Sequence, residues 1–121
     1  TGFQYVYEQP CYNDDHTYIV TMGFAENRNN APNYCQDGAR VFSVKVNGGT
    51  FVEDLDVYKS SGGCKAAYVV SKDFNPKGGK FNFDFIPKVG SPMVSFIDVR
   101  IKDRRNLGRG CRGKAEVQSV E

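Results

Sequence analysis

Five carboxylates lie in or beside the segments with the clearest strand pattern, and two of them could serve as the acid and base of a glycoside hydrolase. They are Glu26, Glu53, Asp54, Asp56 and Asp84. Such a pair works only in a concave site that makes the two carboxyl groups differ in acidity. An exposed strand face does not supply that environment. We therefore expect solvated carboxylates and a chain that is not an enzyme.

The segment YNDDHTY, residues 12–18, holds the one histidine of the chain. No serine or cysteine can be matched to His16 as a nucleophile from the sequence. Asn13, Asp14 and Asp15 could donate oxygens to a structural calcium, but the spaced acidic ligands of a calcium loop are missing. Asn and Asp are also typical turn residues. We expect turn chemistry here, with calcium as the alternative, and no other metal or cofactor.

Polar and aromatic loop residues offer a different chemistry, the binding of sugar hydroxyls. Arg28, Asn29 and Asn30 lie in the longest break between patterned segments, and long loops are often functional. Tyr12, Tyr34 and Tyr58 could stack on a sugar ring, but packing at the edge of the core is an equally good expectation for them.

Alternating apolar and polar residues between turn signals predict β-strands along the whole chain. The predicted strands are residues 3–8, 17–25, 40–47, 50–57, 67–72, 80–86 and 94–101, with a short eighth at 115–120. No segment shows a sustained helical period with caps. We therefore predict a single all-β domain over residues 1–121, an antiparallel sandwich or barrel of about seven or eight strands.

Asn47-Gly48 predicts a tight hairpin between two of these strands, because both turn residues must take positive φ. Alternation then assigns side chains to the core: Phe42, Val44, Val46, Leu55, Val57, Phe81, Phe83, Phe85, Ile97, Val99 and Ile101. It places Asp54, Asp56, Asn82 and Asp84 on the opposite faces.

Four cysteines stand at positions 11, 35, 64 and 111, in no Cys-x-x-Cys pair and with a single histidine in the chain. This spacing does not suit a zinc site. It predicts two disulfides and hence a secreted or extracellular protein. The apolar runs are far shorter than the roughly 18 residues of a membrane span.

Three segments, YIVTMGFAEN, ARVFSVKVNGGTFVEDLDVY and GSPMVSFIDVRI, resemble the malectin and malectin-like family. The similarity runs in register over residues 3–102. It implies a jelly-roll β-sandwich that is non-catalytic and works in secreted or lumenal settings. It also implies that the Asn-Gly hairpin is framework and not part of a site.

The family's sugar site uses aromatics just after Phe-Ala-Glu, an acid shortly before the proline of the last strand, and tyrosines nearer the N-terminus. Here Asn27–Asn30 follow Glu26, Gly90 stands near the position of the acid, and the tyrosines fall outside this chain. The resemblance therefore does not carry over the site for a glucose disaccharide. If a sugar binds, we expect a different set on the matching loops: Arg28, Asn29, Asn30, Tyr34, Tyr58 and Lys88.

Strands that alternate in direction place the loops 26–39, 58–66 and 87–93 at one end of the sandwich. Cys35 and Cys64 then share that end, and Cys11 and Cys111 share the other. Because bridged Cα atoms lie within roughly 7 Å of each other, we predict the disulfides Cys35–Cys64 and Cys11–Cys111.

A basic segment at residues 102–114 carries a net charge of +5, while the rest of the chain carries −3. Its cations are Lys102, Arg104, Arg105, Arg109, Arg112 and Lys114. A solvated loop is one interpretation, and contact with an acidic glycan, protein or membrane surface is the other. We do not expect nucleic acid as a partner.

The terminal segments TGFQYVYEQ and AEVQSVE look like strands without an evident hairpin partner. One hypothesis pairs them with each other within one molecule. The second donates one of them to a neighbour, so that the chain becomes an extracellular building block that self-associates. The first function that we expect is such a structural or interaction module, and a lectin-like module with altered specificity is the alternative.

Overall fold

The computed structural model describes residues 2–28, residues 33–102 and the backbone of residues 115–117. Its strands are β1 (Phe3–Glu8), β2 (Tyr18–Ala25), β3 (Val41–Val46), β4 (Gly49–Leu55), β5 (Ala67–Phe74), β6 (Lys80–Val89), β7 (Phe96–Ile101) and β8 (Ala115–Val117), with one short helix, α1 (Val57–Ser61), between β4 and β5. In this part of the chain, no helix is both long enough and apolar enough to span a bilayer.

The strands form two four-stranded sheets, in the orders β1-β6-β3-β4 and β5-β2-β7-β8. Every pairing between them is antiparallel. This confirms the all-β class and the antiparallel pairing that alternation predicts. Most neighbours within a sheet are not consecutive in the chain, so the connections repeatedly cross from one sheet to the other.

The core lies between the inner faces of the two sheets, where alternation places it. Ten of the eleven predicted core residues are buried, and Ile101 is half-buried. Aromatic rings fill much of the space, and their edges meet faces at angles that aromatic pairs favour: Tyr12, Tyr18 and Phe81 form one such group, with centroids 5.1–5.7 Å apart.

The predicted hairpin is confirmed. Asn47 and Gly48 have φ of 49° and 82°, and Val46 stands opposite Gly49 across the turn. The Asn47 side chain also connects this turn to β6 and to the segment that precedes β6. Its amide donates to the carbonyl oxygens of Asn75 and Lys80 at 3.2 Å, and its oxygen accepts the backbone N–H of Asn82 at 2.8 Å.

The predicted strand 50–57 is wrong at its end, and so is the expected absence of helix. β4 stops at Leu55, and Asp56 becomes the N-cap of α1, accepting the backbone N–H of Lys59 at 3.2 Å. Gly62 closes the helix with φ of 87° and donates to the Tyr58 carbonyl. A five-residue helix is too short to show a 3.6-residue period, so only its two caps mark it in the sequence.

Smaller corrections concern the other boundaries and the faces. β5 and β6 run two and three residues further than predicted, and β7 begins two residues later. Asp54 is exposed as predicted but has φ of 50°. The β3–β4 ladder also shifts register, so β4 is not the regular strand that its alternation suggests.

The terminal strands do not pair with each other, so that hypothesis is wrong. β1 pairs with β6 in one sheet, and β8 pairs with β7 in the other. Both take partners from the same chain, which gives no support to the donation of a terminal strand to a neighbour.

Two residues of β6 test which face of the strand carries the core. Phe83 is fully buried, whereas Ile86 on the opposite face is 42% exposed. We expect Phe83→Ala to lower the free energy of unfolding by about 3–5 kcal/mol, because it removes buried contacts and leaves a cavity. Ile86→Ala should change it by less than about 0.5 kcal/mol. Urea unfolding followed by circular dichroism measures both, and equal losses would contradict the assigned faces.

Candidate functional site: the upper loop cluster

Three loops meet at one end of the sandwich, as alternating strand direction predicts. We call this surface the upper loop cluster, and its described residues are 26–28 and 33–40 after β2, 57–66 around α1, and 87–95 around the end of β6. Cys35 and Cys64 are joined by a disulfide with Cα atoms 5.3 Å apart, which confirms that predicted pair. The Lys65 backbone N–H also donates to the Glu26 carbonyl at 2.5 Å.

A buried ion pair between Glu26 and Arg40 lies beneath these loops. The Arg40 Nε is 2.6 Å from Glu26 Oε1, its Nη2 donates to Oε2 at 3.1 Å, and the side chains are 1% and 0% exposed. Its Nη1 donates to the Ser91 carbonyl at 2.7 Å. Glu26 follows β2 directly and Arg40 directly precedes β3, so the pair connects two strands of different sheets.

Tyr34 packs against this pair, which uses one face of the ring predicted to bind sugar. The Arg40 guanidinium carbon lies 4.0 Å from the ring centroid, within cation–π range. Gly90 has φ of 69°, and a Cβ atom there would come within 2.8 Å of the Tyr34 ring. Gly90, which the resemblance places near the family's acid, therefore makes room for a tyrosine.

Arg28 is the second predicted residue that reaches this surface. It is half-buried, its carbonyl accepts the Tyr34 backbone N–H at 2.9 Å, and its guanidinium carbon lies 6.0 Å from the Tyr34 ring centroid. Its own backbone N–H is 3.4 Å from Glu26 Oε2. The structure thus brings Arg28 and Tyr34 together above the ion pair.

The other predicted ligand residues are less closely grouped. Tyr58 is half-buried on α1, and Lys88 near the end of β6 forms a 3.2 Å ion pair with Asp54, in which both side chains are more than half exposed. Asn29 and Asn30 lie outside the described residues. Two of the six candidates, Arg28 and Tyr34, therefore lie close together, and two more, Tyr58 and Lys88, lie elsewhere in the cluster.

The carboxylates considered for hydrolysis are, with one exception, bound by other groups of the protein. Glu26 binds Arg40. Asp56 accepts the backbone N–H groups of Lys59 and of Gly38, the latter at 2.6 Å. Asp84 accepts from the Gln4 side-chain amide and Asp54 binds Lys88, while Glu53 is exposed. Expecting Glu26 to be solvated was wrong: it is the most buried acid of the described chain.

The lower end of the sandwich shows the turn chemistry expected for residues 13–15. The Asp14 carboxylate accepts the backbone N–H groups of Gly78 and Gly79 at 2.7 and 2.8 Å. The Asp15 N–H donates to Asn13 Oδ1 at 2.9 Å. His16 borders an open groove of about 780 Å³ lined also by Asp15, Thr17, Asp73, Phe74, Asn75 and Lys102. Within residues 2–28 and 33–102, no group of three His, Cys, Asp or Glu side chains is placed to hold a metal.

Two predictions fall on residues that the structure does not describe. The disulfide Cys11–Cys111 lies outside the described residues because Cys111 does, and so do the basic residues from Arg104 to Lys114. Lys102 is described and forms an ion pair with Asp73.

Arg40 was missed as a functional residue in the sequence, although a signal was available: an acid directly follows one apolar strand and a base directly precedes the next.

We expect Arg40→Met to lower the free energy of unfolding by about 3–5 kcal/mol, because Glu26 is left as an uncompensated buried charge. Lys88→Met is the control. It breaks an ion pair with Asp54 in which both side chains are more than half exposed, and should cost no more than about 1 kcal/mol.

Thermal or urea unfolding of both variants measures the difference. In a cycle with Glu26→Gln, the double variant should lose less stability than the two single variants together, since the two residues interact directly. Additive losses would contradict the assigned pairing.

Comparisons with known proteins agree with this architecture. The family model described as the malectin domain matches residues 2–103. Receptor-like protein 4 of Arabidopsis thaliana is 38% identical over 83 residues, which are 68% of this chain and 13% of that protein. The chain thus spans a small part of the length of that relative. No solved structure gives a significant match.

The matched residues include both sheets as far as β7 and the three loops of the upper loop cluster, and the match confirms the resemblance predicted from the three sequence segments. The chain belongs to the malectin domain family.

Proposed function

We propose that this chain is a non-catalytic extracellular module that acts as a structural or interaction building block, and that the upper loop cluster is its binding surface. The observation that carries this proposal is the bracing of the cluster. The Cys35–Cys64 disulfide and the Glu26–Arg40 pair connect its loops covalently and electrostatically. A braced surface loses little conformational freedom when it binds, and this favours recognition.

Two observations support an extracellular setting. Disulfides persist in oxidising compartments, and Cys35–Cys64 is such a bond. The relative with 38% identity is a receptor-like protein. Because an oxidising compartment also allows the second predicted disulfide to form, we propose Cys11–Cys111 as well.

A non-catalytic role is supported by the way in which the acids are used. Acid–base chemistry needs two carboxyl groups that face a common cavity. In the described part of the chain, the Glu26 carboxylate binds Arg40 and that of Asp56 caps α1. Neither is available to a substrate without breaking the loop structure.

We also propose that residues 1–121 form a single domain with jelly-roll connectivity. The strand orders β1-β6-β3-β4 and β5-β2-β7-β8 support it, because successive strands alternate between the two sheets over most of the chain, as they do in a double Greek key.

Carbohydrate binding with altered specificity is the second candidate. It is favoured by Arg28 and Tyr34, which lie together on the surface of the braced loops. An arginine beside an aromatic ring offers hydrogen-bond donors and an apolar face to a sugar. Asn29, Asn30, Tyr58 and Lys88 are the further residues that we propose for this site.

A glycan array separates the two candidates. The proposed interaction module should give no reproducible neutral-glycan signal. Binding by the wild-type chain that falls at least about tenfold in Arg28→Ala, a loss equivalent to one charged hydrogen bond, would establish the lectin-like alternative. Arg100→Ala is the control, since Arg100 is an equally charged residue on the outer face of β7. Because Tyr34 also packs on Arg40, Tyr34→Ala is informative only if its melting temperature is unchanged.

The basic segment extends the proposal to acidic polymers. We expect residues 102–114 to give weak retention on a heparin column that disappears well below about 0.5 M salt, because ionic screening shortens the range of the attraction. Replacing Arg104, Arg105 and Arg109 by Gln should shift elution to lower salt. Replacing three exposed lysines elsewhere, Lys45, Lys59 and Lys77, removes the same charge and should shift it less. Equal shifts would show that total charge alone controls retention.

A further inference from the structure

β5 is an edge strand whose outer side is open among the strands that the structure describes. Its eight residues pair with β2 in an unbroken antiparallel register from Ala67 to Phe74, and β2 is its sole described neighbour. In an antiparallel ladder, alternate residues exchange backbone hydrogen bonds with the same neighbour. Half of the β5 residues therefore direct N–H and C=O groups to the open side, where they can pair with another strand.

The other described edges are less suited to such pairing. β4 loses its regular register against β3 and contains Asp54 with positive φ, and such irregularities blunt a strand edge. β8 has three residues. β1 has six residues and stops two residues before Pro10, which cannot donate a backbone hydrogen bond. β5 is the longest of the four described edges, and its register against β2 is unbroken.

The outer face of the second sheet carries an apolar row that runs to this edge. Val69 of β5 stands opposite Gly23 of β2, which stands opposite Phe96 of β7. A Cβ atom on Gly23 would lie 2.0 Å from the Phe96 ring, so the ring covers the glycine. Val69 ends the row and is 55% exposed.

We propose that two copies of this chain pair edge to edge through β5, in an antiparallel ladder with Val69 opposite Val69 of the second copy. This register joins the two apolar rows into one, from Phe96 of one copy through both valines to Phe96 of the other. On the face of Val69 it places Ala67 opposite Ser71 of the second copy, so no bulky side chains flank the two valines there, and on the other face it places Tyr68 opposite Val70. It also brings Lys65 towards Asp73 of the second copy, once on each side of the two-fold axis.

Charge and symmetry both favour a second copy as the occupant. Lys65 and Asp73 are exposed and lie near opposite ends of β5. Asp73 is paired with Lys102 of its own chain, and an antiparallel copy places Lys65 beside this carboxylate at both ends. A two-fold pairing uses the same edge on both molecules and therefore closes at the dimer. The interface is small, so we expect weak association that depends on concentration. Apart from Lys65, the proposed interface lies on β5 and outside the upper loop cluster, so the two proposed surfaces can be tested separately.

Sedimentation equilibrium of the whole chain tests the proposal with a matched pair of variants. Val69 and Val6 are both valines on edge strands, 55% and 54% exposed. Val69→Lys places two like charges directly opposite each other and should weaken dimerisation at least about tenfold. Val6→Lys, on β1, should leave the dimer constant unchanged. A wild-type chain that stays monomeric at millimolar concentration, or equal effects of the two variants, would overturn the proposal.

Cross-linking tests the register. Under mild oxidation Val69→Cys should form a disulfide-linked dimer, because the two introduced thiols face each other. Ser71→Cys should not, since its counterpart lies four residues away along the ladder, roughly 13 Å and beyond the reach of a disulfide. Peptide mapping identifies the bond that forms. Equal cross-linking of both variants would refute the register. A monomeric wild-type chain would refute the dimer. If an extended peptide from another protein then protected the β5 amides, that peptide would be the partner of this edge, and the proposal would still be refuted.

Discussion

The buried ion pair between Glu26 and Arg40 is the contact on which the upper end of this protein depends. Two charges removed from water are tolerated only when the pair is closely matched and its remaining donors are satisfied. Here Nε and Nη2 of the guanidinium lie 2.6 and 3.1 Å from the two carboxylate oxygens, and Nη1 donates a hydrogen bond to the Ser91 carbonyl. One arginine thereby connects the end of β2, the start of β3 and the loop before β7.

The pair also determines what the surrounding residues can do. Tyr34 covers the guanidinium, the Gly90 backbone approaches the Tyr34 ring without a side chain, and the Cys35–Cys64 disulfide ties the same loop to the one after α1. Residue types that suit sugar binding or catalysis are here used to stabilise loops.

Side chains perform the same connecting role at the lower end, with neutral or single charges in place of an ion pair. Asp14 binds two backbone N–H groups of the turn before β6, and Asn47 links the hairpin to β6 and to Asn75. Loops at both ends are thus tied to the strands. The edge of β5 is the longest of the four strand edges in the described framework.

Much of the fold was predictable because its signals are local. Alternation assigns Phe81, Phe83 and Phe85 to the core, and Asn47-Gly48 specifies its own turn because the two residues accept positive φ. The Cys35–Cys64 pair was also predictable, since alternating strand direction is enough to place loops at one end, whichever strands are neighbours.

The rest depends on contacts that are distant in sequence. Strand order is decided by which hydrophobic faces meet, and residues of β2 and β7 that pair are more than 70 positions apart. From the sequence alone, Glu26 is expected to be solvated, and Tyr34 could stack on a sugar ring. In the folded chain Arg40 contacts both side chains, and the Gly90 backbone packs against Tyr34. The sequence by itself determined which segments form strands, apart from some of their bounds, together with the hairpin and the ends at which the loops lie. Tertiary structure alone decided which charged and aromatic side chains are buried, because burial depends on the partner that arrives from elsewhere in the chain.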